Sequence, residues 1–215
     1  ELDAGAGLGD GVKWLRTAAE YRAITISTYR AAADAVSAAA KSRARDSWAV
    51  VLDADETVLD NSVFQRDLAK GVAPFSEELW ATFVRQRSAV PVPGAKAFLD
   101  RVKELGGRIA IVTNRFEPLC EDTRENFRAH GLPFDVILCR ATTGANTGDK
   151  NPRFEAAARA VAVFPPVCEA LVPDTRYGMP DVHRCVHMAV RQFARWPSVG
   201  KRPHPIGERA ASLPR

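Results

Sequence analysis

The sequence predicts an α/β fold: one open parallel sheet with helices on both faces and a small helical cap inserted after the first strand. Three observations carry this expectation. The runs "SWAVVLD" (47–53), "RIAIVTN" (108–114) and "FDVILC" (134–139) are almost continuously apolar, as strands covered on both faces must be. Segments of helical character alternate with them, which is the rhythm of βαβ units. About 35 residues separate the first strand from the turn at Pro91, Pro93 and Gly94, far more than a crossover connection needs.

In chain order, residues 12–45 open with apolar positions Leu15, Ala19, Ile26, Tyr29, Ala33, Val36 and Ala40 at three- and four-residue steps, interrupted by Arg22. This predicts one amphipathic helix from 12 to about 41 that packs on its own domain. The strand at 47–53 follows, and then the cap insertion at 58–92. Within the cap, Ser76 with Glu77 and Glu78 in the first turn predicts a helix running through "LWATFVRQR". A helix at 95–107 closes on a glycine C-cap and feeds the strand at 108–114. A helix at 117–131, the strand at 134–139, a helix at 151–163 and a weaker strand at 167–174 complete one domain spanning residues 1–215.

The chain has 46% hydrophobic residues among 215, enough for one sizeable core. Its net charge of +4 is unevenly placed, because residues 183–215 hold seven Lys or Arg against the single acid Glu208. No aromatic-rich basic motif accompanies that tail, so a nucleic-acid polymer is not the expected partner. No apolar run approaches the ~20 residues that span a bilayer, and no signal peptide is visible within the 215 residues. The four cysteines, Cys120, Cys139, Cys168 and Cys185, form no CxxC pair and no zinc spacing, so buried free thiols are expected.

Ligands of open α/β sheets sit beyond the carboxyl ends of the strands. Those ends carry Asp53 and Asp55 on the first strand, Thr113 and Asn114 on the second and Asp174 on the last, with Lys150 in a loop between. Carboxylates, a hydroxyl, an amide and an ammonium on one edge suit a cation bound with a phosphate group. Each unit of negative charge on a phosphate 4 Å from a carboxylate is repelled by about 4 kcal/mol at an effective dielectric near 20, so a cation must intervene. Mg²⁺ is the natural choice, because it takes one or two carboxylates and accepts phosphate oxygens. Phe64 and Trp80 of the cap are candidates for stacking on a substrate ring, with core packing the competing role.

The stretch "DADETVLDNS" (53–62), followed by "IVTNR" (111–115) and "DKNPRF" (149–154), resembles the motifs of the haloacid dehalogenase (HAD) superfamily. The extended first motif is similar to the non-specific acid phosphatase branch, classes C and B, which includes secreted and lipoprotein 5′-nucleotidases. The resemblance runs from about residue 12 to about 154 and implies a HAD-like sheet with a helical cap. It implies a Mg²⁺-dependent acid phosphatase acting on nucleotide or aryl phosphate monoesters through an aspartyl-phosphate. Asp53 is then the nucleophile and Asp55 the general acid and base. Thr113 and Lys150 hold the phosphate, assisted by Asn114 and Arg115. The metal falls to the Asp53 carboxylate, the Asp55 carbonyl and Asp174. Asp55 must start protonated, neighbouring carboxylates are expected to favour this, and an optimum below pH 7 follows. Glu56 is expected to point away, and Asp60 and Asn61 to serve the turn. The resemblance also implies a periplasmic, secreted or outer-membrane lipid-anchored location.

The fourth motif departs from the branch pattern Gly-Asp-Asn-x-x-Asp-Phe. In "VPDTRYGMPDV", Asp174 fits the first acid, but Pro173 replaces glycine, Thr175 replaces asparagine and Gly178 stands where the second acid belongs. After residue 164 lie eight of the fourteen prolines and His183, His187 and His204, with no clean period. Residues 165–215 are therefore expected to be atypical, either a disordered, diverged terminus or the product of a reading-frame change. The competing function is a catalytically impaired relative with a phosphate-binding or storage role.

Overall fold

The computed structural model describes residues 9–71, 74–144 and 147–161. The strand expected at 167–174, Asp174, the late histidines, Cys168 and Cys185 all lie outside those residues. Within them, β1 (Ala49–Leu52), β4 (Arg108–Phe116) and β5 (Val136–Arg140) form a parallel sheet in the order β1-β4-β5. The register pairs Val51 with Ala110 and Ile111 with Ile137. β2 (Leu59–Asp60) and β3 (Val90–Pro91) make a short antiparallel ribbon that closes the neck of the insertion.

Side-chain alternation explains why both faces need covering. Val50, Leu52, Ile109, Ile111, Ile137 and Cys139 enter the main core, while Val51, Ala110, Val112, Val136 and Leu138 enter a second. The main core is closed by α2 (Ala19–Ala40), α5 (Ala95–Glu104) and α6 (Cys120–Ala129), through Tyr29, Phe98, Leu99, Val102 and Phe127. The second is closed by α7 (Asn151–Ala160), through Phe154 and Ala157. Both crossovers, β1 to β4 and β4 to β5, run through helices on the main-core face, so the strands step across the sheet in one direction.

α5 ends as its sequence predicts. Gly106 takes φ 80°, its N–H donates to the Lys103 carbonyl at 3.0 Å, and the Gly107 N–H donates to Val102 at 2.9 Å. That pair of bonds is a Schellman cap, which needs a residue without a Cβ. Gly94 has a second reason to be glycine: at φ 93°, an added Cβ would lie 3.0 Å from the Cβ of Tyr29 on α2.

The inserted cap holds α3 (Ser62–Ala69) and α4 (Glu77–Arg85). Ser76 caps α4 as expected, its Oγ accepting the Leu79 N–H at 3.1 Å. Phe64 is buried, packing edge-on against Trp80 at 5.1 Å and tilted against Phe83 at 5.3 Å between ring centroids. Core packing is thus what Phe64 does, and Phe75 is the exposed aromatic of this cluster.

Two expectations are corrected. The N-terminal helix is two helices, α1 (Asp10–Thr17) and α2, because Ala18 adopts an extended conformation at φ −77°, ψ 126°. The break turns α1 onto α3, with Arg16 Nη1 donating to Ser62 Oγ at 3.2 Å. Cys120 and Cys139 are not free thiols. They form a disulfide that ties the start of α6 to the end of β5, since both side chains enter the main core from adjoining elements. The bond also accounts for the close grouping of Glu117 with these two sulfurs, whose lone pairs are not a thiolate metal set.

Candidate active site

β1 ends at Leu52, and the chain then turns tightly. The Ala54 carbonyl accepts N–H bonds from Val58 at 2.9 Å and Leu59 at 2.8 Å, and the Leu59 carbonyl accepts the Glu56 N–H. Glu56 pays for the tightness of this turn with φ 54°. The turn places Asp53 and Asp55 at the carboxyl edge of the sheet. Asp53 Oδ1 accepts the N–H of Ala54 at 2.8 Å, and its Oδ2 accepts Lys150 Nζ at 2.5 Å. Lys150 stands immediately before α7, 97 residues further along the chain. Its side chain is 22% exposed and that of Asp53 35%, so the pair faces solvent that a substrate can displace.

Asp55 is held differently. Its Oδ1 accepts three donors: Arg115 Nη2 at 2.8 Å, Arg115 Nε at 2.9 Å and Asn61 Nδ2 at 2.9 Å. Among the described residues, its Oδ2 receives only a long contact from Thr113 Oγ1 at 3.4 Å. The expected crowding of Asp55 by carboxylates is therefore matched by a guanidinium on the same oxygen. Arg115 side-chain exposure is 1%, which leaves that charge little water to compete with. Its Nη1 donates to Thr123 Oγ1 of α6 at 3.3 Å, its Nη2 also reaches Asn61 Oδ1 at 3.3 Å, and Trp80 of the cap lies over the guanidinium at 5.4 Å.

Thr113 is fully buried at the end of β4, its Oγ1 accepting the Arg115 N–H at 3.1 Å. Asn114 is exposed, with Oδ1 accepting Arg153 Nη2 at 2.7 Å. With the acceptor end taken, the amide of this exposed residue still has two N–H donors to offer.

Three residues do more at this edge than their sequence positions imply. Asn61, expected to serve the turn, is fully buried, and its Nδ2 bridges Asp55 Oδ1 and Glu56 Oε1, the latter at 3.1 Å. Glu56 is accordingly not turned away. Desolvation, with Asp55 and Asp60 nearby, pushes its carboxyl above the ordinary carboxylate value against the Asn61 hydrogen bond. Asp60 keeps its turn role, accepting the Ser62 N–H at 2.7 Å. Arg115 is the organiser of Asp55, and Arg153 joins β4 to the Lys150 loop. All three sit inside the quoted motifs "DNS", "TNR" and "NPR".

The N-terminal helices reach this site from behind. Tyr29 of α2 donates its hydroxyl hydrogen to the Thr57 carbonyl, anchoring the turn from the main core. Tyr21 lies near Glu56 and Asp60, and burial followed by those two charges pushes its hydroxyl up to about 12.

Comparison with known proteins places these features in a family. The profile described as HAD superfamily, subfamily IIIB (Acid phosphatase) matches residues 12–158. The class C acid phosphatase from Bacillus anthracis, solved with tungstate bound, superposes with a TM-score of 0.62 at 28% identity, covering 69% of this chain and 62% of that one. A second structure of the class C acid phosphatase from Bacillus anthracis gives 0.61 at 27% identity over the same shares. The chain thus spans less than two thirds of the length of these structures.

Proposed function

The chain belongs to subfamily IIIB of the HAD superfamily, the acid phosphatases, and on that premise we propose that it hydrolyses phosphate monoesters of nucleotides or aryl alcohols. The observation that carries the proposal is the convergence of Asp53, Asp55, Thr113 and Lys150 on one sheet edge, with the Lys150 ammonium on the Asp53 carboxylate.

In this reading, a carboxylate oxygen of Asp53 attacks phosphorus while the bond to the leaving oxygen breaks. Asp55 gives its proton to that oxygen. The ionised Asp55 then takes a proton from water as the water oxygen attacks the phosphoryl group, which releases phosphate and restores Asp53. Three hydrogen bonds to Oδ1 leave Oδ2 as the oxygen that carries the proton. The Lys150 ammonium and the Asn114 amide donors receive the phosphoryl oxygens, with the Thr113 hydroxyl beside them.

HAD phosphatases generally use a divalent metal. The donors available here, the Asp53 carboxylate and the Asp55 carbonyl, are hard oxygens that fit Mg²⁺, and Asp174 is the proposed third donor. Bound there, Mg²⁺ would offset the repulsion between a phosphate dianion and the carboxylates.

Among the described residues no helix is long and apolar enough to cross a membrane. The Cys120–Cys139 disulfide supports a periplasmic or secreted location, because such bonds persist in oxidising compartments. Hydrolysis of p-nitrophenyl phosphate, lost with EDTA and restored by Mg²⁺, is the result expected. A folded protein that shows no hydrolysis with Mg²⁺ present would favour the impaired, phosphate-binding relative instead.

A further inference from the structure

Arg153 occupies the first turn of α7, and its side chain folds back over the residues that precede the helix. Its Nη1 donates to the Thr113 carbonyl. Its Nη2 reaches Asn114 Oδ1 at 2.7 Å, the Asp149 carbonyl at 3.2 Å and the Thr147 carbonyl at 3.4 Å. None of these acceptors is a carboxylate, so this is no surface ion pair. One planar fork spans two segments separated by more than thirty residues: the end of β4 and the loop that delivers Lys150.

We propose that Arg153 is a positioning residue that locks the Lys150 loop to the end of β4, fixing where the Lys150 ammonium meets a phosphoryl oxygen beside Asp53. The inference rests on the phosphatase reading of the site. Lys150 needs such help because its ammonium rides on a flexible four-carbon stem with many accessible rotamers. Only the backbone that carries the stem can narrow its reach. That backbone is held from both sides, since the Lys150 carbonyl also accepts the N–H groups of Arg153 and Phe154, each at 3.0 Å. Arg140 supports the same loop, donating Nε to Thr147 Oγ1 at 3.0 Å while its guanidinium lies over Phe116. A lysine at 153 could not replace the fork, because a single ammonium cannot present parallel donors to carbonyls on two segments. Burial, and then the charge of Arg140, draw the Arg153 guanidinium below its ordinary value, with Asp53 and Asp149 opposing. The arginine is thus kept where its own electrostatics are unfavourable.

The test compares the parent protein with Arg153→Ala, Arg153→Lys, Lys150→Ala and the Arg153→Ala/Lys150→Ala double variant. Values of kcat and KM for p-nitrophenyl phosphate, the dissociation constant of inorganic phosphate by calorimetry, and Tm are measured for each. Arg153→Ala should weaken phosphate binding and raise KM by about tenfold, as supporting residues around a site typically do, with a smaller fall in kcat. Arg153→Lys should recover little, and guanidinium ion at millimolar concentration should restore part of the binding to Arg153→Ala. The double variant should bind phosphate no worse than Lys150→Ala alone. Equal losses in the parent and Lys150→Ala backgrounds would overturn the inference, as would a fall in Tm with phosphate affinity unchanged. If Arg153→Ala fails to fold, Arg153→Lys carries the same comparison with Lys150→Ala. A parent that binds phosphate in this coupled manner but hydrolyses nothing would keep the inference and sink the phosphatase reading. An active parent with uncoupled effects would do the reverse, and a parent that does neither would overturn both.

Discussion

Replacing Arg115 with Met removes the cation that holds Asp55 while keeping an unbranched apolar stem under Trp80. Two nitrogens of Arg115 lie 2.8 and 2.9 Å from Asp55 Oδ1, and the two side chains are 1% and 23% exposed. Of the three hydrogen bonds to Asp55 Oδ1, two come from Arg115, so Arg115→Met leaves the Asn61 amide as the remaining donor to that oxygen. Breaking a buried pair by removing one partner costs about 3–5 kcal/mol, and urea unfolding should register a loss of about that size. An Asp55 carboxyl freed to turn should also lower kcat for p-nitrophenyl phosphate by up to about a hundredfold, because a misplacement of about 1 Å can cost that much. Arg115→Lys keeps the charge but loses the fork, so it should recover part of the stability and little of kcat. A folded Arg115→Met protein with kcat unchanged would refute the role of Arg115 in holding Asp55 for catalysis.

The other contacts behind the site can be tested in the same way. Asn61→Asp puts a third carboxylate against Asp55 and Glu56, whose oxygens now accept from Asn61 Nδ2, and should lower Tm at pH 7 more than at pH 4. Equal losses at both pH values would contradict it. Tyr29→Phe deletes the hydroxyl that donates to the Thr57 carbonyl, and should cost about 1 kcal/mol in urea unfolding with a modest rise in KM. No change in either would show that the turn holds itself. Cys120→Ser removes a bond closing a sequence separation of 19, for which chain entropy gives about 3 kcal/mol. Dithiothreitol should lower the Tm of the parent towards that of the variant, and a parent indifferent to reductant would argue against the bond.

The sheet was legible because each strand is apolar on both faces, and no other element of this fold makes that demand. β1, β4 and β5 fall inside or within two residues of the expected runs, and the Gly106 cap and the Ser76 cap stand where propensity put them. The break at Ala18 was hidden because Thr17-Ala18-Ala19 contains no proline or glycine. Packing of α1 against α3 rather than local preference sets it. The disulfide was equally hidden, since a helix-borne and a strand-borne cysteine carry no spacing signature. That Asp53, Asp55, Thr113 and Lys150 meet at one sheet edge could be read from strand ends and motifs alone. Their supports were only partly legible: the motifs put Asn61 and Arg115 near the site without showing that both hold Asp55, and Arg153 looks like an ordinary polar residue of a helix. Only the fold reveals that Arg115 is buried and that Arg153 bridges segments distant in sequence.

The most direct measurement of the central claim is mass analysis of the peptide containing Asp53 after acid quench during turnover of p-nitrophenyl phosphate. The parent should carry one added phosphoryl group on Asp53, and Asp53→Asn should carry none and release no p-nitrophenol. Turnover that persists in Asp53→Asn, or a phosphoryl group found on another residue of the parent, would contradict the assignment of Asp53 as nucleophile.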